Sequence, residues 1–281
     1  MTTQRTHGPM EKIAFYGKGG IGKSTVSTNV SASLARAGRR LLHVGCDPKH
    51  DSTMPFVGAG EVRTVLDTLF EVPTGQLTRE HLIMPGRLGI DCVESGGPEP
   101  GVGCGGRGVS RMFELLGELD VLGEDRYDVA VFDVLGDVVC GGFAAPLRRG
   151  FARKIVIVSS EEIMSLYAAN NICKAIHHYR ANGVALQGLV FNLRDNRTDP
   201  AQLQQFAEAI GARILAVLPR ERRVRAAEVE GRTLVELAPR TKMARTLREL
   251  AETLVAADPD ACPEPTPLSA QDFRALVDTF R

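Results

Sequence analysis

The 281-residue sequence contains no tryptophan, and aromatic residues make up only 5% of it. No apolar run approaches the roughly 18 residues that a membrane-spanning helix needs, and the polar start MTTQRTHGPM lacks the apolar stretch of a signal peptide. Neither sign of charge is in excess, because 34 Lys and Arg residues balance 34 Asp and Glu residues. Composition therefore gives no support for non-specific nucleic-acid binding. We expect a soluble cytoplasmic protein that binds neither membranes nor nucleic acids.

Cysteine is also scarce, with six residues at positions 46, 92, 104, 140, 173 and 262. Six are too few for a disulfide scaffold in a chain of this length, which indicates a reducing compartment. None forms a C-x-x-C pair, which argues against a self-contained zinc ribbon. The cysteines must therefore be considered one by one.

Apolar runs and helical periodicities alternate along the chain, which predicts an α/β fold. The predicted strands cover residues 12–16, 41–45, 129–132, 154–158, 186–191 and 213–218. The predicted helices cover residues 26–34, 64–70, 111–122, 164–180 and 201–210, and a capped helix follows Ser269. Several strands are almost entirely apolar, as expected for a mostly parallel sheet covered by helices on both faces. We predict one domain over residues 11–257, after an N-terminal tail of 1–10 and before a C-terminal extension of 258–281.

A glycine-rich loop lies between the first predicted strand and the first predicted helix. Residues 17–24, GKGGIGKS, fit the phosphate-binding pattern G-x-x-x-x-G-K-[ST] in the context that it requires. In such a loop, backbone N–H groups surround the phosphates, Lys23 adds positive charge and the Ser24 hydroxyl can bind Mg²⁺. The residues that we assign to the nucleotide here are Gly17, Gly19, Gly20, Gly22, Lys23, Ser24 and Thr25. The fold class is therefore a P-loop NTPase that binds MgATP or MgADP.

Acidic residues follow two of the predicted strands. Asp47 comes after the second strand and Asp133 ends the third, and the carboxyl ends of parallel strands face the ligand-binding crevice. Such carboxylates can orient a water molecule toward the γ-phosphate or hold the hydration shell of Mg²⁺. The alternative is that each Asp is an ordinary turn or helix-cap residue. The glycines around both suit loops that move when the γ-phosphate is lost.

Two cysteines, Cys104 in GVGCGGRG and Cys140 in DVVCGGF, lie in glycine-containing loops rather than in apolar helix or strand positions. Iron–sulfur clusters usually need four thiolate ligands, and two from each chain of a symmetric dimer would make four. On the cysteines alone, ordinary thiols remain the simpler interpretation. We expect Cys173, in a helical run, to be a buried core residue, and we expect Cys46 and Cys262 to have no special role.

Five segments resemble the nitrogenase iron protein family: YGKGGIGKST, GCDPKHDST, ESGGPEPGVGCGGRGV, DVLGDVVCGGFAAP and YAANNI. The first also resembles the deviant Walker A loop of a larger class of dimeric ATPases. The similarity spans about residues 12–255 in the family's order. It implies a homodimer that holds one [4Fe–4S] cluster and couples MgATP hydrolysis to the transfer of single electrons. The implied acceptor is a larger catalytic metalloprotein, and the implied donor is a ferredoxin or flavodoxin.

The resemblance also implies roles for single residues. Cys104 and Cys140 would bind the cluster, Lys18 would reach the partner subunit's phosphates, and Asp133 would relay the nucleotide state to Cys140. Further implied positions are Asp47 at the nucleotide, Asp51 in the first switch, Arg107 at the docking surface as a site of ADP-ribosylation, and Asn192, Pro219, Arg220 and Glu221 around adenine. The family often has Asp where Glu221 stands.

The subgroup is harder to predict because the chain combines features of two. His50, Gly105 and GGFAAPL resemble the reductase of dark protochlorophyllide reduction, whereas PEPGVGCGGRGV and MSLYAANNI resemble nitrogenase reductase. We place a third branch first, the reductase component of methylthio-alkane reductase, with the other two as alternatives.

Two other classes of ATPase are alternatives to a reductase. A non-redox partitioning ATPase would account for the phosphate loop and Lys18, but it needs neither Cys104 nor Cys140. A metal-cluster carrier ATPase usually has paired cysteines near its C-terminus, where Cys262 stands alone.

Overall fold

The computed structural model describes residues 9–97, 103–123, 126–136, 141–142, 144–148 and 150–280. Within these residues the strands are β1 Glu11–Tyr16, β2 Leu41–Cys46, β3 Met84–Pro85, β4 Ile90–Glu94, β5 Val129–Val134, β6 Lys154–Ser159, β7 Ala185–Asn192 and β8 Ile214–Leu218. They form one sheet in the order β3-β4-β2-β5-β1-β6-β7-β8. Every neighbouring pair is parallel except β3 and β4, so the predicted mostly parallel sheet is confirmed.

Helices cover both faces of the sheet. Their bounds are α1 Lys23–Arg36, α2 Met54–Val57, α3 Val65–Glu71, α4 Arg79–Leu82, α5 Gly105–Glu118, α6 Ile163–Tyr179, α7 Pro200–Ala209, α8 Arg223–Val229, α9 Leu234–Leu237, α10 Lys242–Ala256 and α11 Ala270–Asp278. β1 shows how the layers form: Ala14 and Tyr16 join the core under α5, α6 and α7, and Ile13 and Phe15 join the core under α1 and α10. Burial on both faces explains why this strand is apolar from Ile13 onward.

Two elements differ from the sequence prediction. The strand β4 was not predicted, because Asp91 and Glu94 interrupt its short apolar pattern. The helix α5 begins at Gly105, six residues before the predicted start, inside the glycine run that follows Cys104. Its buried face, which includes Val109 and Met112, anchors the helix to the core strongly enough to outweigh the poor helix propensity of glycine.

The C-terminal residues pack against α6. Phe273 of α11 is buried, and its ring meets that of Tyr167 on α6 with centroids 5.4 Å apart. The Asn170 amide also brackets the Leu268 backbone, donating to its oxygen at 3.0 Å and accepting from its nitrogen at 2.7 Å. Ser269 caps α11 as predicted, accepting from the backbone of Asp272.

None of the helices in the described residues has the length and apolarity that crossing a lipid bilayer would require.

Candidate nucleotide and cluster site

The phosphate loop joins β1 to α1 at the carboxyl edge of the sheet. Gly22, the N-cap of α1, has φ of +88°, a conformation that residues with a side chain rarely adopt. A side chain there would also overlap the Asn192 amide, which donates a 2.8 Å hydrogen bond to the Ile21 oxygen. This position therefore requires glycine. Of the other predicted nucleotide residues, Gly17 is buried, Lys18, Ser24 and Thr25 are half-buried, and Gly19 and Gly20 are exposed.

Lys23 lies buried at the base of the loop and forms an ion pair with Asp133, which is the last but one residue of β5 and is 1% exposed. The Ser52 hydroxyl donates to the other oxygen of Asp133 at 2.6 Å. Burial alone would raise the pKa of Asp133, but the Lys23 charge and the hydrogen bonds from Lys23, Ser24 and Ser52 lower it. Asp133 is therefore a carboxylate at neutral pH, held by one ammonium group and two hydroxyls.

Asp47 and Asp51 lie on the segment that follows β2. Asp47 is half-buried and accepts a 3.0 Å hydrogen bond from the Lys49 backbone; burial raises its pKa. Asp51 is exposed. These two acids were predicted from the sequence, but Ser52, whose hydroxyl bridges this segment to β5, was not. Ser52 stands in the segment GCDPKHDST, but a serine beside an aspartate carries no distinctive signal on its own.

The predicted adenine residues come together beside the loop, where β7 and β8 end. Asn192 ends β7, Pro219 follows β8, and the backbone N–H of Arg220 donates to Asn196 at 2.7 Å. The Glu221 carboxylate accepts a 3.1 Å hydrogen bond from the Arg223 backbone.

The guanidinium of Arg194, which the sequence analysis missed, donates to the Gly20 oxygen and so ties this region to the phosphate loop. The contact joins residues 174 positions apart in sequence, so no local motif could indicate it.

The predicted cluster ligand Cys104 is exposed at the N-cap of α5. Arg107 is exposed within the first turn of the same helix. Both border an open cavity of about 1100 Å³ that Phe70, Gly141 and Gly142 also line. Cys140 lies outside the described residues. Helix N-termini favour negative charge, which suits a thiolate ligand at position 104.

Close backbone packing connects the phosphate loop to the start of α5. A side chain at Gly136 would overlap the Gly17 carbonyl oxygen, and one at Gly142 would overlap the carbonyl oxygen of Gly106 on α5. The segment after β5 therefore touches the loop at one end, and its continuation touches α5 at the other.

A second connection runs from the segment after β2. Pro48, which follows Asp47, packs directly against Gly97 and Gly105, so that a side chain at either glycine would overlap its ring. Both acidic segments therefore reach the backbone beside Cys104.

The remaining predictions about cysteine concern residues away from this site. Cys173 is buried as expected, which raises its pKa to about 12. Cys46 is also buried, whereas Cys262 is half-buried. His177 and His178 are both exposed on α6.

The fold, the phosphate loop and the buried Lys23–Asp133 pair define a P-loop ATPase. Solved structures of this class are similar: the septum site-determining protein MinD of Pyrococcus horikoshii, complexed with MgADP, superposes with a TM-score of 0.69 at 22% identity, covering 87% of this chain and 96% of that one. A ParA family ATPase from Chlorobium tepidum also gives a TM-score of 0.69, at 16% identity, over 86% of this chain and 98% of that one. At these identities the similarity shows the fold alone.

The family model of 4Fe-4S iron sulfur cluster binding proteins, NifH/frxC family, matches residues 11–281. The nitrogenase iron protein of Methanospirillum hungatei is 45% identical over 274 residues, 96% of each chain. Nitrogenase iron protein 2 of Methanothermococcus thermolithotrophicus is 42% identical over 268 residues, 91% of this chain and 92% of the relative.

The chain therefore belongs to the NifH/frxC family of iron–sulfur proteins, as the sequence motifs predicted. Proteins of this family are ATP-hydrolysing electron-transfer components that bind a [4Fe–4S] cluster and MgATP or MgADP. The glycine-flanked thiol of Cys104 and the cradle around Lys23 are chemically suited to these two groups.

Proposed function

We propose that this chain is the ATP-dependent electron-transfer component of a nitrogenase-like enzyme and works as a homodimer. In this proposal Cys104 and Cys140 of both subunits hold one [4Fe–4S] cluster, which supplies one-electron redox chemistry when bound. The electrons pass to a larger catalytic metalloprotein, and a ferredoxin or flavodoxin provides them. The observation that carries the proposal is the close packing around the start of α5: the segment after β5 meets the phosphate loop at Gly136 and α5 at Gly142, and the segment after β2 meets α5 through Pro48.

The Lys23–Asp133 ion pair is the element that a nucleotide would switch. Nucleotide phosphates compete with Asp133 for the Lys23 ammonium, because both are anions at the same cation. When Lys23 turns to the phosphates, Asp133 loses its charged partner but keeps the hydrogen bond from Ser52. The segment after Asp133 would then shift against Gly17 and, through Gly142, against α5. A ligand shifts such an equilibrium by its differential affinity for the two arrangements.

Other residues have supporting roles in the proposal. Asp47 would orient the attacking water molecule, and Lys18 would contact the phosphates bound by the partner subunit. The exposed Arg107 would lie where the catalytic metalloprotein docks, and it would be the residue open to ADP-ribosylation.

Oxygen-free preparation of two matched cysteine variants tests the cluster assignment. The wild-type dimer should contain about four iron atoms per two chains, with visible absorption. Cys104→Ser should lose most of the iron and the absorption but still bind MgADP, because the phosphate loop is intact. Cys262→Ser is the control, since its half-buried thiol lies in the C-terminal region. A Cys104→Ser dimer with a full complement of iron would refute the assignment.

Methylthio-alkane reductase is the subgroup that we propose. The support is the mixture of motifs, with His50 and Gly105 typical of one branch and the arginine-containing CGGRGV typical of another. Mixing the reduced protein and MgATP with each candidate catalytic component separates the three possibilities. Product formation with a dinitrogenase or a protochlorophyllide-reducing component, and none with a C–S-cleaving component, would replace this choice.

A non-redox positioning ATPase is the second candidate, favoured by the fold similarity to MinD and ParA-type structures. An ATPase of this kind would need the phosphate loop but no iron–sulfur cluster. A colourless, iron-free dimer from an oxygen-free preparation, still active as an ATPase, would favour this candidate.

A further inference from the structure

A histidine occupies the middle of β2, a strand whose other residues are apolar or glycine up to Cys46. His43 is 0% exposed, and burying an imidazole without partners would be costly. Both ring nitrogens are in fact hydrogen-bonded: Nδ1 lies 2.8 Å from the Ser31 hydroxyl of α1, and Nε2 lies 2.9 Å from the Ser52 hydroxyl. Ser31 and Ser52 are themselves buried. The three side chains therefore form a closed polar row inside the core.

The direction of every hydrogen bond in this row can be assigned by starting from Asp133, which lies beyond Ser52. Asp133 is a carboxylate and can only accept, so Ser52 must donate its single hydroxyl proton to it. The Ser52 oxygen must then accept from His43, which places a proton on Nε2. Burial lowers the pKa of His43 to about 4, so the ring is neutral at pH 7 and Nδ1 carries no proton. Nδ1 therefore accepts from Ser31.

The row ends at the Lys23–Asp133 ion pair, the element that a nucleotide would switch in the proposed function. Ser52 belongs to the segment after β2, Asp133 is the last but one residue of β5, and Lys23 is the phosphate-loop lysine. The His43 ring also meets Phe56 of α2 edge-on, with centroids 5.4 Å apart. His43 thus contacts the segment after β2 at two points, Ser52 and Phe56. Through Ser52 it holds that segment against Asp133.

We propose that His43 is a positioning residue for ATP hydrolysis. Its Nε2–H fixes the Ser52 hydroxyl toward Asp133 and so holds the segment after β2 in place against the end of β5. This inference rests on the proposed ATP-driven function. His43 touches neither nucleotide nor cluster; it acts through Ser52. A residue of this kind should affect the rate of turnover more than the binding of nucleotide, because it orders the groups around the reacting atoms.

Two substitutions separate the donor from the shape of the ring. His43→Leu removes the donor to Ser52, whereas the amide nitrogen of His43→Gln can occupy the place of Nε2 and donate. For the dimer with its cluster, we expect kcat for ATP hydrolysis to fall about 10-fold in His43→Leu, with KM for MgATP within about twofold. We expect His43→Gln to recover most of the loss. His178→Leu and His178→Gln are matched controls on an exposed helix face.

A direct readout of the proton does not depend on activity. In the full-length protein with ¹⁵N-labelled histidine, the ring nitrogen shifts should show His43 as the Nε2–H tautomer. Ser52→Ala, which removes the acceptor, should change that signal. An Nδ1–H tautomer, wild-type kcat in His43→Leu, or equal losses in the Leu and Gln variants would each overturn the inference. The proposed function would survive those results, because iron content and MgADP binding test it separately.

Discussion

At the scale of single residues, the site depends on buried polar groups whose partners lie far apart in sequence. Glu94 at the end of β4 is 0% exposed; its Oε1 accepts a 2.7 Å hydrogen bond from the Thr53 backbone. Its Oε2 has no partner among the described residues, and a side chain at Gly45 would overlap it. Burial raises the pKa of Glu94 to about 8. Glu94 therefore holds the segment after β2 as a neutral acid at pH 7.

The raised pKa of Glu94 predicts a stability that falls with rising pH. The folded protein keeps a proton that the unfolded chain, with an ordinary pKa near 4.3, has released. Stability should therefore decrease between about pH 4.3 and 8, by up to ~1.4 kcal/mol per pH unit. His43, whose pKa is lowered to about 4, acts in the opposite direction up to about pH 6.5. The Glu94 effect alone remains between pH 6.5 and 8.

Glu94→Gln removes this titration and keeps a similar shape. Between pH 6.5 and 8 we expect the wild type to lose on the order of 1–2 kcal/mol of unfolding free energy relative to the variant. Urea denaturation of the two proteins at both pH values measures the difference. Parallel midpoints across this range would show that Glu94 is already ionised in the folded state.

At the scale of elements, the contact between α5 and the segment around Gly142 has no space for a side chain. Gly142→Ala would force a Cβ into the Gly106 backbone, which cannot move aside as a flexible side chain could. Overpacking of this kind costs roughly 1–3 kcal/mol. Gly141→Ala is the matched control, because a Cβ there meets nothing within 4 Å. Thermal unfolding should show a lower Tm for Gly142→Ala alone; equal Tm values would mean that the two segments are not packed tightly.

Much of the secondary structure was predictable from the local sequence. All six predicted strands formed, because each is an apolar run that a doubly covered sheet demands. The phosphate loop and the acids Asp47 and Asp133 were predictable as well, since motif and strand end are local signals. β4 and the glycine-rich start of α5 were missed because burial against distant elements, rather than local propensity, stabilises them.

The hydrogen bonds around the buried His43 could not be predicted from local sequence for a similar reason. Ser31 and Ser52 lie 12 and 9 positions from His43, and Asp133 lies 81 positions beyond Ser52. Only the sheet order, which places β2 beside β5, brings them together. A polar residue in the middle of an apolar strand was the one available signal.

At the scale of the whole molecule, the proposed dimer predicts that Lys18 acts on the partner subunit's nucleotide while Asp47 acts on its own. Lys18→Gln and Asp47→Asn homodimers should each lose ATP hydrolysis by about 100-fold or more. A heterodimer of one subunit of each kind has one site with both groups intact if Lys18 acts across the interface. It should regain up to half of the wild-type rate.

Coexpression with two different affinity tags isolates this heterodimer for the hydrolysis assay. If Lys18 serves its own subunit instead, both sites of the heterodimer stay defective and no rate returns. A heterodimer of Lys18→Gln with wild type provides the reference, because it keeps one complete site in either case.

The close packing of Pro48 and Gly142 against the start of α5 affects the surface that the protein presents to other molecules. Cys104 is the N-cap of α5 and Arg107 lies in the first turn of that helix, so a movement of the helix carries both residues. Any tilt or rotation of that helix would change the directions of the Cys104 thiol and the Arg107 guanidinium together. The position of the proposed metal centre and the charge on the surface around it are therefore coupled.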